Sequence, residues 1–145
     1  MKKEIKTAIL IHATPVKVWA TLTDFDNYPS WNPFVKFLRG DVKVGNKITV
    51  QLEQSKGKTM TFKPKVLAFD VNKEFRWQGH LLFKGLFDGE HKFELVDNGN
   101  GTTTFCHSEK FNGLLVSLFS KQLDTNTKTG FEAMNKKLKE IAEQE

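Results

Sequence analysis

From Phe34 to Phe111 apolar side chains recur at every second position between turn residues, a period that only extended chain turns toward one face. Ile48, Val50 and Leu52 alternate with Lys47, Thr49, Gln51 and Glu53, and Phe75 and Trp77 alternate with Arg76 and Gln78. His91, Phe93 and Leu95 alternate with Glu90, Lys92 and Glu94. Phe105, His107, Glu109 and Phe111 share one face of a further strand, opposite Thr104, Cys106, Ser108 and Lys110. Met60, Phe62 and Val66 follow the same rule around Pro64, which cannot donate to a ladder and so predicts an edge position or a bulge. The run 97–101, Asp-Asn-Gly-Asn-Gly, predicts a hairpin turn. Five or six antiparallel strands are expected, each apolar on one face.

The flanks have a different period. Residues 4–11 read as a first strand, and Thr14-Pro15 starts a helix, with Thr14 as cap and Pro15 where its missing N–H costs nothing. Val18, Trp19 and Leu22 continue at helical spacing, and the prolines at 29 and 33 then allow only a short second helix or a turn pair. A long amphipathic helix is predicted from Asn112-Gly113 onward, its stripe formed by Leu123, Thr127, Phe131, Met134, Leu138 and Ile141. Gly130 beside that stripe costs ~1 kcal/mol relative to alanine, so it predicts a kink or a close approach, and with Thr127 it leaves a partly polar notch. The expected fold is α+β: a curved antiparallel sheet around a long C-terminal helix, with two short helices after the first strand and a gap between sheet and helix. With 145 residues and no repeat or linker, one domain over residues 1–145 is expected.

Composition removes several classes of function. Cys106 is the single cysteine, which leaves no internal disulfide and favours a reducing, cytoplasmic setting. No apolar run approaches a membrane span, and residues 8–11 are too short for a signal-peptide core, so the mature chain is expected to begin at Met1 or Lys2. The net charge of +5 is spread among acids, as in Lys136-Lys137-Leu138-Lys139-Glu140, so no nucleic-acid partner is expected. Serine-nucleophile elbows, phosphate-binding glycine loops and zinc-protease helices are absent from the sequence. The unusual count is thirteen Phe and three Trp against one Tyr.

Four segments together resemble a known superfamily: Ala13-Thr14-Pro15-Val16-Lys17-Val18-Trp19; Tyr28-Pro29-Ser30-Trp31-Asn32-Pro33-Phe34; residues 85–95, from Gly85-Leu86-Phe87 to Phe93-Glu94-Leu95; and Phe111-Asn112-Gly113-Leu114-Leu115 leading to Gly130-Phe131-Glu132-Ala133-Met134-Asn135. They are similar to the helix-grip superfamily of START lipid-transfer domains, pollen allergens and polyketide cyclases, and most to its bacterial polyketide cyclase/dehydrase-like branch, often labelled SRPBCC. The resemblance implies a helix-grip (START-like) fold with an elongated cavity for an apolar ligand. It carries over no universal catalytic residue, because the superfamily holds binders, transporters, chaperone activators and some enzymes on one scaffold.

The candidate site follows from the alternation. His91, His107 and Glu109 share a face with Phe93 and Phe105, so two imidazoles and a carboxyl point toward the expected gap. They are candidates for acid–base catalysis, for orienting a ligand, or for an internal hydrogen-bond network without chemistry. The trio also has the composition of a two-histidine, one-carboxylate metal site, but with no second-shell partner in view neither metal nor cofactor is assigned. His12 and His80 read as a strand-end and a loop-facing histidine. Trp31, Asn32 and Phe34 are expected at one rim of the cavity, with Phe62 and Trp77 on the sheet side and Thr127, Gly130, Phe131 and Met134 on the helix side. A bulky residue at Gly130 or Thr127 is expected to lower occupancy without unfolding the chain. Leu114, Leu115, Val116, Leu118 and Phe119 crowd the start of the last helix as core, mobile lip, membrane-touching edge or dimer patch. The leading expectation is binding of a small hydrophobic molecule (a lipid, a polyketide or another apolar metabolite) by a monomer or homodimer. The alternatives are a polyketide cyclase/dehydratase-type enzyme using the His/Glu pair and a protein-interaction or chaperone-activating module.

Overall fold

A computed structural model of the chain describes residues 2–55, 57–80 and 84–144. Strand β1 (Lys2–Ile11) leads into helix α1 (Pro15–Leu22), where the Lys17 N–H donates to the Thr14 hydroxyl at 3.3 Å as the sequence predicts for a cap. A 3₁₀ turn (Phe25–Asn27) and the one-turn helix α2 (Tyr28–Trp31) follow. The Tyr28 hydroxyl donates to the Leu22 carbonyl and ties the two helices together. Then come β2 (Val35–Arg39), β3 (Thr49–Ser55), β4 (Lys58–Phe62), β5 (Lys65–Asp70), β6 (Glu74–His80), β7 (Asp88–Asp97) and β8 (Thr103–Asn112).

Seven strands thus lie between Phe34 and Phe111 among the described residues, rather than five or six. The register slips between Val35 and Phe37 in β2 and between Val66 and Ala68 in β5, and each bulge breaks the period of two that would have marked its strand. The strands form an antiparallel sheet in the order β1-β8-β7-β6-β5 and a three-stranded one in the order β2-β3-β4. Pro64 stands in the connection between them. Its carbonyl accepts from Ile48 N–H at 2.9 Å, and the Lys47–Lys65 bridge continues the curvature from one sheet to the other.

The C-terminal helix begins later than its periodicity predicts. Gly113 has φ +136°, and the N–H groups of Leu114 and Leu115 donate to the carbonyls of Gly85 and Leu86, so this backbone is held by the turn before β7 and is not free to coil. Helix α3 (Val116–Gln122), a π turn (Leu123–Thr127) and α4 (Lys128–Ala142) then run on without a break. The irregularity is that π turn and not Gly130, whose role is close approach: a methyl carbon there would lie 2.8 Å from Cδ1 of Phe34. The stripe ends on Asn135, Leu138 and Ala142, which are buried, whereas Ile141 is only half-buried. The crowded segment before it divides: Val116 is buried, Leu115 and Phe119 are half-buried, and Leu114 and Leu118 are 79% and 73% exposed. Ile5, Ile11, Phe75, Trp77, Phe93 and Phe105 from the larger sheet meet Phe131, Met134 and Leu138 in one core. No helix among the described residues is long and apolar enough to cross a membrane.

Candidate functional site

Between the hairpin β3–β4, the β6–β8 end of the large sheet and the α3–π-turn segment lies a cavity of about 610 Å³. Leu52, Met60 and Phe62 form one wall, Phe87, Phe111 and Phe119 another, and Leu123 and Thr127 come from the helix, with Phe34 toward the core. Gly79 and Gly89 face each other in register across β6 and β7. A methyl carbon at Gly79 would lie 2.9 Å from the Phe62 ring, and one at Gly89 would overlap Oε2 of Glu109. The two glycines therefore make the space in which a phenyl ring and a carboxyl group sit.

The strand register brings the candidate trio together: His91 stands opposite Glu109, and Phe93 opposite His107. Nδ1 of His91 is 2.9 Å from Oε1 of Glu109, and Nε2 of His91 is 2.7 Å from Nε2 of His107. Nδ1 of His107 lies 2.9 Å from Oδ1 of Asn135, whose amide nitrogen donates to the Thr7 hydroxyl at 2.8 Å. That hydroxyl donates to the backbone carbonyl of His107 at 2.8 Å. Only the Glu109 end meets the cavity. Both histidines are fully buried and stacked on aromatic rings, His91 on Trp77 at 4.7 Å and His107 on Phe131 at 4.1 Å. Burial pushes the Glu109 carboxyl up to about 8 and the His91 imidazole down to about 3. Burial, with the neighbouring His91, holds His107 well below its ordinary value.

Four of the residues expected at the site line this cavity: Phe34, Phe62, Glu109 and Thr127. Trp77, His91, Phe93, Phe105, His107, Phe131 and Met134 form the packed layer beneath it. Gly130 is spent on Phe34, so a larger residue there disturbs that layer and does not fill the cavity. Trp31 is half-buried and packs edge-on against Tyr28 at 5.3 Å. Oδ1 of the buried Asn32 accepts from the N–H groups of Phe34 and Val35, a turn role. His80 ends β6 at the cavity border, and its imidazole is held by Asp88 at 2.9 Å. Cys106 lies on the opposite face of β8 from the trio, as alternation predicts. Asn135 and Thr7 were not expected at the site. Asn135 follows Phe131 by one helical turn and Thr7 faces His107 in register, but only the pairing of β1 with β8 brings them together. Among the described residues no group of three His, Cys, Asp or Glu side chains, the trio included, is arranged to hold a metal ion.

Residues 2–143 match a family model described as polyketide cyclase / dehydrase and lipid transport. No curated protein matches the sequence. Among solved structures, the chain resembles the Zhui aromatase/cyclase from Streptomyces sp. R1128 with a TM-score of 0.78 at 11% identity, covering 99% of this chain and 94% of that one. A truncated norcoclaurine synthase from Thalictrum flavum gives 0.76 at 15%, covering 100% and 96%. A START superfamily protein from Mycobacterium smegmatis gives 0.71 at 16%, covering 95% and 98%. At these identities the likeness shows the shared helix-grip fold alone.

Proposed function

Since the chain belongs to the polyketide cyclase/dehydrase and lipid transport family, we propose that it binds a small, largely apolar molecule in the cavity between its sheets and its C-terminal helix. The observation that carries this reading is the 610 Å³ space walled by Leu52, Met60, Phe62, Phe111 and Leu123, with the carboxyl groups of Glu53 and Glu109 at its border. Its volume lies in the range of small-molecule sites, and each CH₂ buried there contributes ~0.8 kcal/mol. A lipid, a polyketide or a comparable metabolite has the required apolar body, and the single cysteine favours a cytoplasmic setting.

Titration with N-phenyl-1-naphthylamine, an uncharged fluorescent probe, tests the proposal. Saturable binding that Thr127→Trp abolishes while the thermal transition stays cooperative supports it. Absence of saturable binding, or binding indifferent to Thr127→Trp, refutes it. A second reading, cyclase or dehydratase chemistry, is favoured by the placement of Glu109, a proton carrier at the edge of an apolar space. That reading requires turnover to vanish in Glu109→Gln, because an amide cannot exchange the proton.

A further inference from the structure

The hydrogen bonds behind Glu109 fix which way its own proton points. The Thr7 hydroxyl gives its hydrogen to the His107 carbonyl, so toward Asn135 it can only accept. Asn135 therefore presents its amide nitrogen to Thr7 and its oxygen to His107. An amide oxygen only accepts, so His107 carries hydrogen on Nδ1. In a neutral imidazole Nε2 is then bare. His91 donates Nε2–H across the 2.7 Å contact, which leaves its own Nδ1 bare, and Glu109 must supply the hydrogen in the 2.9 Å contact. Any other assignment either sets two bare ring nitrogens against each other across the 2.7 Å contact or places an imidazolium in a ring cage of Trp77, Phe93, Phe34 and Phe131, where nothing but Glu109 balances its charge.

Glu109 is then a neutral carboxylic acid whose hydroxyl oxygen, Oε1, faces the protein. Its carbonyl oxygen, Oε2, takes no hydrogen bond among the described residues and stands over Gly89 at the cavity wall. Resting on the binding function proposed above, we infer that the cavity selects an uncharged ligand carrying a hydroxyl or amine hydrogen, which Oε2 of Glu109 accepts, and rejects carboxylates. His91, His107, Asn135 and Thr7 are positioning residues: they hold the acid hydrogen away from the ligand. Of the two further ionisable side chains among the lining residues, Glu53 also disfavours an anion, and the His80 imidazole is engaged by Asp88 at 2.9 Å.

Three probes with one naphthalene body test the inference: 2-naphthol, 2-methoxynaphthalene and 2-naphthoate. Wild type is expected to prefer the naphthol to the ether by roughly 2–13-fold, the range of one net hydrogen bond, and to bind the naphthoate most weakly. Glu109→Leu should erase the preference, bringing naphthol and ether to equal affinity. Glu109→Gln should restore it, because the amide donates to His91 and offers an oxygen to the ligand as the acid does. Equal affinity of naphthol and ether in wild type, or tightest binding of the naphthoate, overturns the inference while leaving the binding function standing. Failure of all three to bind overturns both. On wild-type protein alone, ¹⁵N shifts should report His107 with hydrogen on Nδ1 and His91 with hydrogen on Nε2. An imidazolium at either position refutes the assignment whatever the variants do.

Discussion

Gly89→Ala puts the architecture of the carboxyl site to a test in which the sign of the effect is diagnostic. Gly89 sits in β7 without a positive φ, so alanine there would ordinarily stabilise the strand by ~0.5–1 kcal/mol through reduced backbone freedom. Here the added methyl overlaps Oε2 of Glu109 and drives the carboxyl off its 2.9 Å contact with His91, which leaves a fully buried ring nitrogen without a partner. That loss costs about 1–3 kcal/mol. The net expectation is a loss of up to about 2.5 kcal/mol in place of the usual gain, or a Tm lower by up to roughly 10 °C in a chain of this size. Urea denaturation read by circular dichroism gives the free energy, and the same substitution in a Glu109→Ala background completes a double-mutant cycle. In that background Gly89→Ala should turn stabilising. An additive cycle, or stabilisation in both backgrounds, would refute the reasoning, because the methyl and the carboxyl would then not compete for one space.

Three further outcomes are expected. Stability should rise with pH toward about 6.5 and decline between about 6.5 and 8. Below 6.5 the unfolded chain binds protons at His91 and His107 that the folded chain refuses, which outweighs the opposite contribution of Glu109; above it only Glu109, which keeps its proton in the fold up to about 8, still titrates. Chemical denaturation from pH 5 to 9 measures this, and the decline should be absent from Glu109→Gln. Gly130→Leu should cost about 1–3 kcal/mol by overpacking Phe34, seen as a lower denaturation midpoint, because the new side chain meets the core and not the cavity. Tyr28→Phe should cost about 1–3 kcal/mol in the same measurement, since it removes the buried hydroxyl that satisfies the Leu22 carbonyl.

The alternation in residues 91–111 made the trio legible, because period two alone assigns His91, His107 and Glu109 to one face and Cys106 to the other. What it could not reveal is depth. A strand face is continuous, and whether a given position lies under the helix or beyond its edge depends on where the helix crosses. Phe131 covers His107 and the π turn uncovers Glu109, so one network is sealed at one end and open at the other. The strands missed in the count, β2 and β5, are those whose bulges break the alternation. Leu52, Met60 and Phe62 read as strand residues, yet they became a cavity wall because the chain leaves one sheet for the other at Pro64. Gly130 was legible as a close approach, but its neighbour, Phe34, comes from a segment almost a hundred residues earlier and left no local signal.

Intermolecular nuclear Overhauser effects from bound N-phenyl-1-naphthylamine test the central claim most directly. A molecule lodged between sheet and helix should show cross-peaks to methyl groups of Leu52, Met60, Leu123 and Thr127, which line that space. None should reach Val16 and Val71, which border a separate cleft at α1. Cross-peaks to that second pair, or a saturating complex that leaves the first four untouched, would contradict the account.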